Sequence, residues 1–225
     1  MANIDLELSK KITNILADGI KKNYRDFYYL AYFLSEDEEL AVNTVKDCIK
    51  AGIYNARKIQ DVPPIKTWFY QDLIAICDRR KKSERKHTNL YRNKLMKKML
   101  DLDIIKRATF ILYFYEEFET ARVAKILRLK EAEVQQNLKY IYKELGLKNG
   151  HCKQDESKID EMLVSYRTPS VPNYLRGEIQ DVIEHEQAQN VSYFTRGRRS
   201  RFIRSVFAVA ILVLAAYLLI KGNLF

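Results

Sequence analysis

The sequence predicts an all-α protein, and three observations carry that prediction. Glycine and proline are scarce, seven and four in 225 residues, whereas Leu, Ile, Lys, Glu and Tyr are plentiful; that composition favours helices over a sandwich or barrel. Apolar residues recur at helical steps in several separate stretches. The clearest of these is Phe118 to Leu145, FETARVAKILRLKEAEVQQNLKYIYKEL, which reads as two helices around a short turn. In the first, Val123, Ile126 and Leu127 share a face. In the second, Val134, Leu138, Ile141 and Leu145 recur at steps of four, three and four. Leu129 plugs the corner between them, and Arg128 stands in the turn where glycine is common. Gln136, Lys139, Tyr140 and Lys143 project opposite the buried stripe. Such a face suits the DNA major groove, because Gln can bond base edges and Lys can neutralise phosphate. The same pattern also describes an ordinary helical hairpin with a solvated outer face.

The remaining elements follow in order. Residues 1–20 are polar and amphipathic, without the apolar run of a signal peptide. Asp26 to Leu34, DFYYLAYFL, is dense in aromatic and aliphatic side chains. Glu36, Asp37, Glu38 and Glu39 come next, well placed to begin a helix because carboxylates favour its positive N-terminal end. Ala41, Val45, Cys48, Ile49 and Gly52 line one side of that helix, and Asp61-Val62-Pro63-Pro64 breaks the chain. A further helix holds Ile65, Trp68, Phe69, Leu73 and Ile76 and ends in Arg79, Arg80, Lys81 and Lys82. From Arg79 to Lys98 there are ten Lys/Arg and one acid in twenty residues, a basic linker with partial helix. A second apolar block, Ile104 to Phe114, leads into the helical pair, and Gly146 and Gly150 close the region.

The net charge is +10 and the pI about 9.3, a balance that implies polyanionic partners, nucleic acid or anionic lipid. Cys48, Cys77 and Cys152 form no CxxC pair, and with three histidines there is no zinc-ligand spacing, so no metal and no cofactor are expected. Cys48 and Cys77 read as small core fillers in a reducing cytoplasm. No Gly-rich phosphate loop, GxSxG or HExxH is present, and a non-enzyme is expected.

Beyond Asn149 the chain is polar to Ser200, interrupted by Pro169 and Pro172, with short amphipathic stretches at Ile159 to Tyr166 and Tyr174 to Glu186. It reads either as a linker or as a regulatory segment folding back on the preceding helices. An uninterrupted apolar run follows, Val206 to Ile220. Its fifteen residues rise about 22 Å as a helix, and adding Phe202, Ile203 and a snorkelling Arg204 gives 19 residues and about 28 Å, close to the hydrocarbon thickness of a bilayer. A single transmembrane helix is expected, with a buried core helix or a membrane-surface helix as alternatives. Arg196, Arg198, Arg199, Arg201 and Arg204 precede it and Lys221 alone follows, which puts the N-terminal side in the cytoplasm.

Two parts of the chain resemble the bacterial extracytoplasmic-function sigma factors of RNA polymerase. LAYFLSEDEELAVNTVKDCIKA, Leu30 to Ala51, matches the pattern of their domain two without gaps, and IKTWFY, Ile65 to Tyr70, resembles the Phe-Lys-Thr-Trp-Leu-Tyr stretch typical of it. Leu102 to Leu145 resembles domain four, with Arg107 on that domain's common Arg. The resemblance implies two small helical domains, 1–85 and 102–148, joined by the basic linker 86–101. A juxtamembrane segment, 149–201, and a transmembrane helix, 202–221, lie outside the family pattern.

The resemblance further implies binding to core RNA polymerase and to promoter DNA. Asn43, Lys46, Asp47 and Lys50 fall on the polymerase-clamp contact, with Asn43 where an acid is usual. The helix from Ile65 falls on the reader of the downstream promoter element, where strand opening needs surfaces for unstacked bases and cations for phosphates. Trp68 and Tyr70 would supply the former; Lys66, Arg79, Arg80, Lys81 and Lys82 the latter. Trp68 reads first as a core anchor, whereas Lys66 and Tyr70 are expected to be exposed. The family often carries Asn and Asp where this chain has Ala75 and Arg79. Gln135, Gln136 and Lys139 would read the upstream element, with Lys130 and Lys143 on phosphates. Members of the family are usually soluble and held by a separate membrane anti-sigma protein; here one chain combines factor and anchor, and release by a protease near the membrane would activate it. Two other readings stand beside this one: a membrane-tethered helix-turn-helix regulator without polymerase activation, and a basic membrane-surface protein.

Overall fold

The computed structural model describes residues 2–56, 59, 61, 62, 64–81, 94–147, 157–161, 164, 170–190 and 192. Among them the regular secondary structure is all helical, with no strand. The apolar run 206–220, the arginines before it, Lys82, Gly150 and Cys152 lie outside the described residues. No described helix is long and apolar enough to cross a membrane.

Helix α1, Ala2–Ser35, fuses the amphipathic N-terminus and the aromatic stretch into one 34-residue rod of roughly 50 Å. Ile12, Leu16, Ile20, Phe27, Leu30, Ala31 and Leu34 are buried along it. Helix α2, Glu38–Ala56, begins in the acidic cluster, but the four acids divide their tasks. Glu38 and Glu39 occupy the first turn, and Asp37 caps it, its Oδ1 accepting from Leu40 N at 2.8 Å. Glu36 takes no part in the helix start: its backbone is left-handed, φ +61°, and its side chain is buried. Helix α3, Ile65–Lys81, crosses both. Its approach is close at two glycines. A Cβ at Gly19 of α1 would lie 2.0 Å from Ile65 Cδ1, and one at Gly52 of α2 would lie 2.8 Å from Phe69 Cζ.

The second group opens with α4, Lys94–Leu100, inside the expected basic linker, and α5, Ile104–Phe110, capped by Asp103, which accepts from Lys106 N at 2.9 Å. A π turn, Ile111–Tyr115, prolongs α5, and Glu117 reverses the chain at φ +53°. Helices α6, Thr120–Leu127, and α7, Glu131–Leu145, complete the group, with Gly146 ending α7 in the left-handed conformation, φ +67°. A helix at 175–190, here α8, returns to α1 and α2. One continuous apolar core runs through all of these elements.

Candidate nucleic-acid interface and the surfaces packed around it

The α6–α7 pair is built as its residue spacing predicts. Val123, Ile126 and Leu127 of α6 and Val134, Leu138, Ile141 and Leu145 of α7 are buried against one another, and Leu129 packs at the corner. The turn is left-handed at Arg128, φ +57° and ψ +39°, a conformation that glycine adopts without strain and other residues adopt at a cost. Side chains pin the two helices beside it. The Thr120 hydroxyl donates to the Glu131 carboxylate, and Lys130 N donates to Glu133 Oε2 at 2.7 Å. Opposite the stripe, Lys130, Gln135, Gln136, Lys139 and Lys143 are exposed, and none of their side chains has a hydrogen-bond or ion-pair partner among the described residues. Tyr140, 45% exposed, carries the Lys106 ammonium 4.9 Å from its ring centroid. The face thus offers amide donors and acceptors flanked by free ammonium groups on a rigid helix about 22 Å long.

Helix α3 departs from expectation. Tyr70 is not exposed: it is buried at 1%, its ring between Phe27 (5.8 Å) and Phe118 (6.3 Å), and its hydroxyl donates to Glu116 Oε1 at 2.6 Å. Lys66 is half-covered, its ammonium shared between Asp26 (2.8 Å) and Glu116 (2.9 Å). Burial opposes that charge, but the hydrogen bonds to both carboxylates outweigh it and hold the Lys66 pKa above the usual lysine value. The cause of both corrections is the second helical group, which packs on this side of α3. Gln71 Nε2 donates to Lys125 O at 2.8 Å, and Arg122 Nε donates to Thr67 Oγ1 at 3.3 Å while its guanidinium stacks 3.6 Å from the Phe118 ring. Trp68 is half-buried beside Phe69, in keeping with a core anchor.

Further along α3, Arg79 is exposed and, among the described residues, bonds its own turn at Ala75 O, whereas Arg80 is drawn to Thr44 Oγ1 (3.0 Å) and Asp47 on α2. Lys81 ends the helix. Asp72 lies near Arg79 and the turn residue Arg128. Burial pushes its carboxyl above the usual range, and the two cations only partly offset this. A carboxyl raised in the folded state is destabilising where it must ionise, so its stability contribution improves as pH falls through its folded pKa. Asp72→Asn is therefore expected to raise the melting temperature at pH 7, with the gain shrinking towards pH 4, as read by thermal unfolding at both pH values. A lower melting temperature for the variant at pH 7 would contradict this.

On α2, Asn43, Asp47 and Lys50 are exposed. Lys46 is half-covered by α8, paired with Glu178 at 3.0 Å. Leu175, Ile179 and Ile183, spaced by four, are buried beneath α8, and Asn190 Nδ2 donates to Ile53 O at 2.9 Å. Glu178 meets Lys46 at one end and Asn190 meets Ile53 at the other, so α8 runs in the same direction as α2. The amphipathic stretch from Tyr174 therefore folds back on the first helices. Its Leu175/Ile179/Ile183 spacing announced a buried stripe without naming the surface that covers it.

The pairing of Arg107 was also illegible locally. Its guanidinium is buried, with Nη1 2.7 Å from Glu36 Oε1 and Nε donating to Leu102 O at 2.9 Å, and this pair ties α5 to the α1–α2 junction. Among the described residues no group of three or more His, Cys, Asp or Glu is arranged to hold a metal. Cys48 and Cys77 are buried, and burial pushes the Cys48 thiol well above its ordinary pKa, which keeps it protonated. No protein-family model and no curated protein matches the chain.

Proposed function

We propose that this chain is a transcription-initiation factor of the extracytoplasmic-function sigma type, reading promoter DNA through α7 and α3 and binding core RNA polymerase through α2. The observation that supports it best is the exposed Gln135/Gln136/Lys139/Lys143 face of α7, set over a fully buried stripe and behind the left-handed turn at Arg128. The resemblance of Leu30–Ala51 and Ile65–Tyr70 to domain two adds the polymerase-binding half, in the order the family requires. The polymerase performs the chemistry. The apolar run at 206–220 holds the chain at the membrane with the helices on the cytoplasmic side. In the packed arrangement Lys66 and Tyr70 are engaged by Glu116, so reading the downstream element requires the α5–α7 group to leave α3.

The test mixes the full-length chain, in neutral detergent micelles, with bacterial core RNA polymerase. Co-elution together with initiation on genomic fragments that core alone ignores supports the reading, and absence of co-elution removes it. Asn43, Ala75 and Arg79 favour a second reading, a tethered DNA-binding regulator without polymerase activation. That reading expects sequence-selective DNA binding without co-elution.

A further inference from the structure

A cleft of about 780 Å³ opens between α1 and the start of α8, with no residue of α7 in its lining. Lys21, Lys22 and Arg25 line it from α1 and Arg176 lines it from α8, with Tyr24, Asn173 and Gln180 among the polar neighbours. Four cations and no carboxylate form its walls. Lys21, Lys22 and Arg176 have no ion-pair partner among the described residues, and Arg25 only donates to the Tyr24 hydroxyl at 3.5 Å. Three other cations that reach a neighbouring element meet carboxylates there: Lys46 with Glu178, Lys66 with Asp26 and Glu116, Arg107 with Glu36. Here like charges from two elements converge on a concave space on a chain that already carries +10, an arrangement that favours an anion between them. Gly177 contributes to the lining, and a Cβ there would meet nothing within 4 Å, so a ligand can approach the backbone.

We infer that this cleft binds a phosphate-bearing anion with two or more negative charges and that the bound anion fastens α8 to α1. The volume exceeds that of one orthophosphate and accommodates a diphosphate or a phosphorylated headgroup. Arg and Lys together suit that chemistry, the guanidinium by forked hydrogen bonds and the ammonium as a compact charge. Because the walls come from both α1 and α8, the ligand binds only the docked arrangement in full and stabilises it by mass action. The inference is independent of the reading of α7 and stands or falls without polymerase.

The same phosphate chemistry has two sources, a soluble diphosphate and an anionic phospholipid, and the experiment separates them. Full-length protein in neutral maltoside micelles is titrated with inorganic pyrophosphate, and in parallel the micelles are doped with cardiolipin, whose headgroup carries two phosphates; amide exchange of residues 175–190 is read in both. Protection that saturates with pyrophosphate assigns a soluble ligand, and protection only in doped micelles assigns a lipid headgroup. Protection in neither overturns the proposal. Two substitutions guard against general attraction to a basic protein. Gly177→Glu puts a carboxylate into open space in the cleft and improves the helix propensity at that position, so α8 persists while binding of the effective probe falls about tenfold or more. Ala188→Glu adds the same charge at an exposed position near the far end of α8 and leaves binding unchanged. Equal loss, or no loss, in both variants would overturn the assignment.

Discussion

Arg107→Met is expected to destabilise the protein by about 3–5 kcal/mol, the cost of removing the cation from a buried ion pair. The Glu36 carboxylate that it leaves behind has a side chain only 5% exposed and sits on left-handed backbone at the α1–α2 junction, so it cannot swing into water without unwinding that turn. Leu102 O loses its donor as well. Burial lowers the Arg107 pKa, although the nearby Glu36 carboxylate works against this, and guanidinium remains charged at any working pH. Glu36→Gln combined with Arg107→Met removes the uncompensated charge as well and is expected to recover most of the loss. Urea unfolding of the two single variants and the double variant gives the coupling energy. A loss below roughly 1 kcal/mol for Arg107→Met would mean that Glu36 is solvated after all.

The double substitution Gln136→Ala, Lys139→Ala is expected to weaken binding to a selected DNA site by about ten- to a hundredfold, on the basis of roughly 1–3 kcal/mol for a base-edge contact together with one lost phosphate contact. Both residues are exposed and partnerless among the described residues, so unfolding should shift by no more than about 0.5 kcal/mol. The two halves separate by salt. Lys139→Ala alone lowers the slope of log K against log salt by about one, whereas Gln136→Ala leaves the slope and relaxes sequence preference. Fluorescence anisotropy on a fragment selected from random DNA, at several salt concentrations, reads all three quantities. Unchanged affinity in the double variant would make the outer face of α7 merely solvated.

What could be read in advance was whatever a helix states within its own length. The stripes of α2, α6 and α7 are buried residue for residue, Gly146 ends α7, and the exposed face of α7 carries the expected amides and ammonium groups. What could not be read was contact between segments far apart. Helix α3 shows this directly: Ile74, Tyr70 and Cys77 are buried besides the expected Phe69 and Leu73, because the helix is covered on two sides. The second cover comes from residues 46 to 55 positions later, Glu116, Lys125 and Arg122. A periodicity rule assigns one buried face, which leaves Tyr70 and Lys66 outside. Glu36 failed for a related reason. Four consecutive acids look alike in a list, and only the left-handed turn and a guanidinium 71 residues away distinguish the first of them. Arg128 lies between the two cases. The turn was legible and the residue was unusual for it, and the structure retains the left-handed backbone despite the side chain.

The separation of Glu36 and Arg107 has a consequence in time. A ribosome adding roughly 5–20 residues per second needs about 4–14 s to travel the 71 positions between them. Within that interval α2 and α3 are synthesised while the carboxylate at the α1–α2 junction has no guanidinium, and Tyr70 waits 46 residues for Glu116. The nascent chain thus spends seconds with this side of α3 bare, whichever partner later covers it. Any binder of that surface present at the ribosome meets the protein before its own second helical group does.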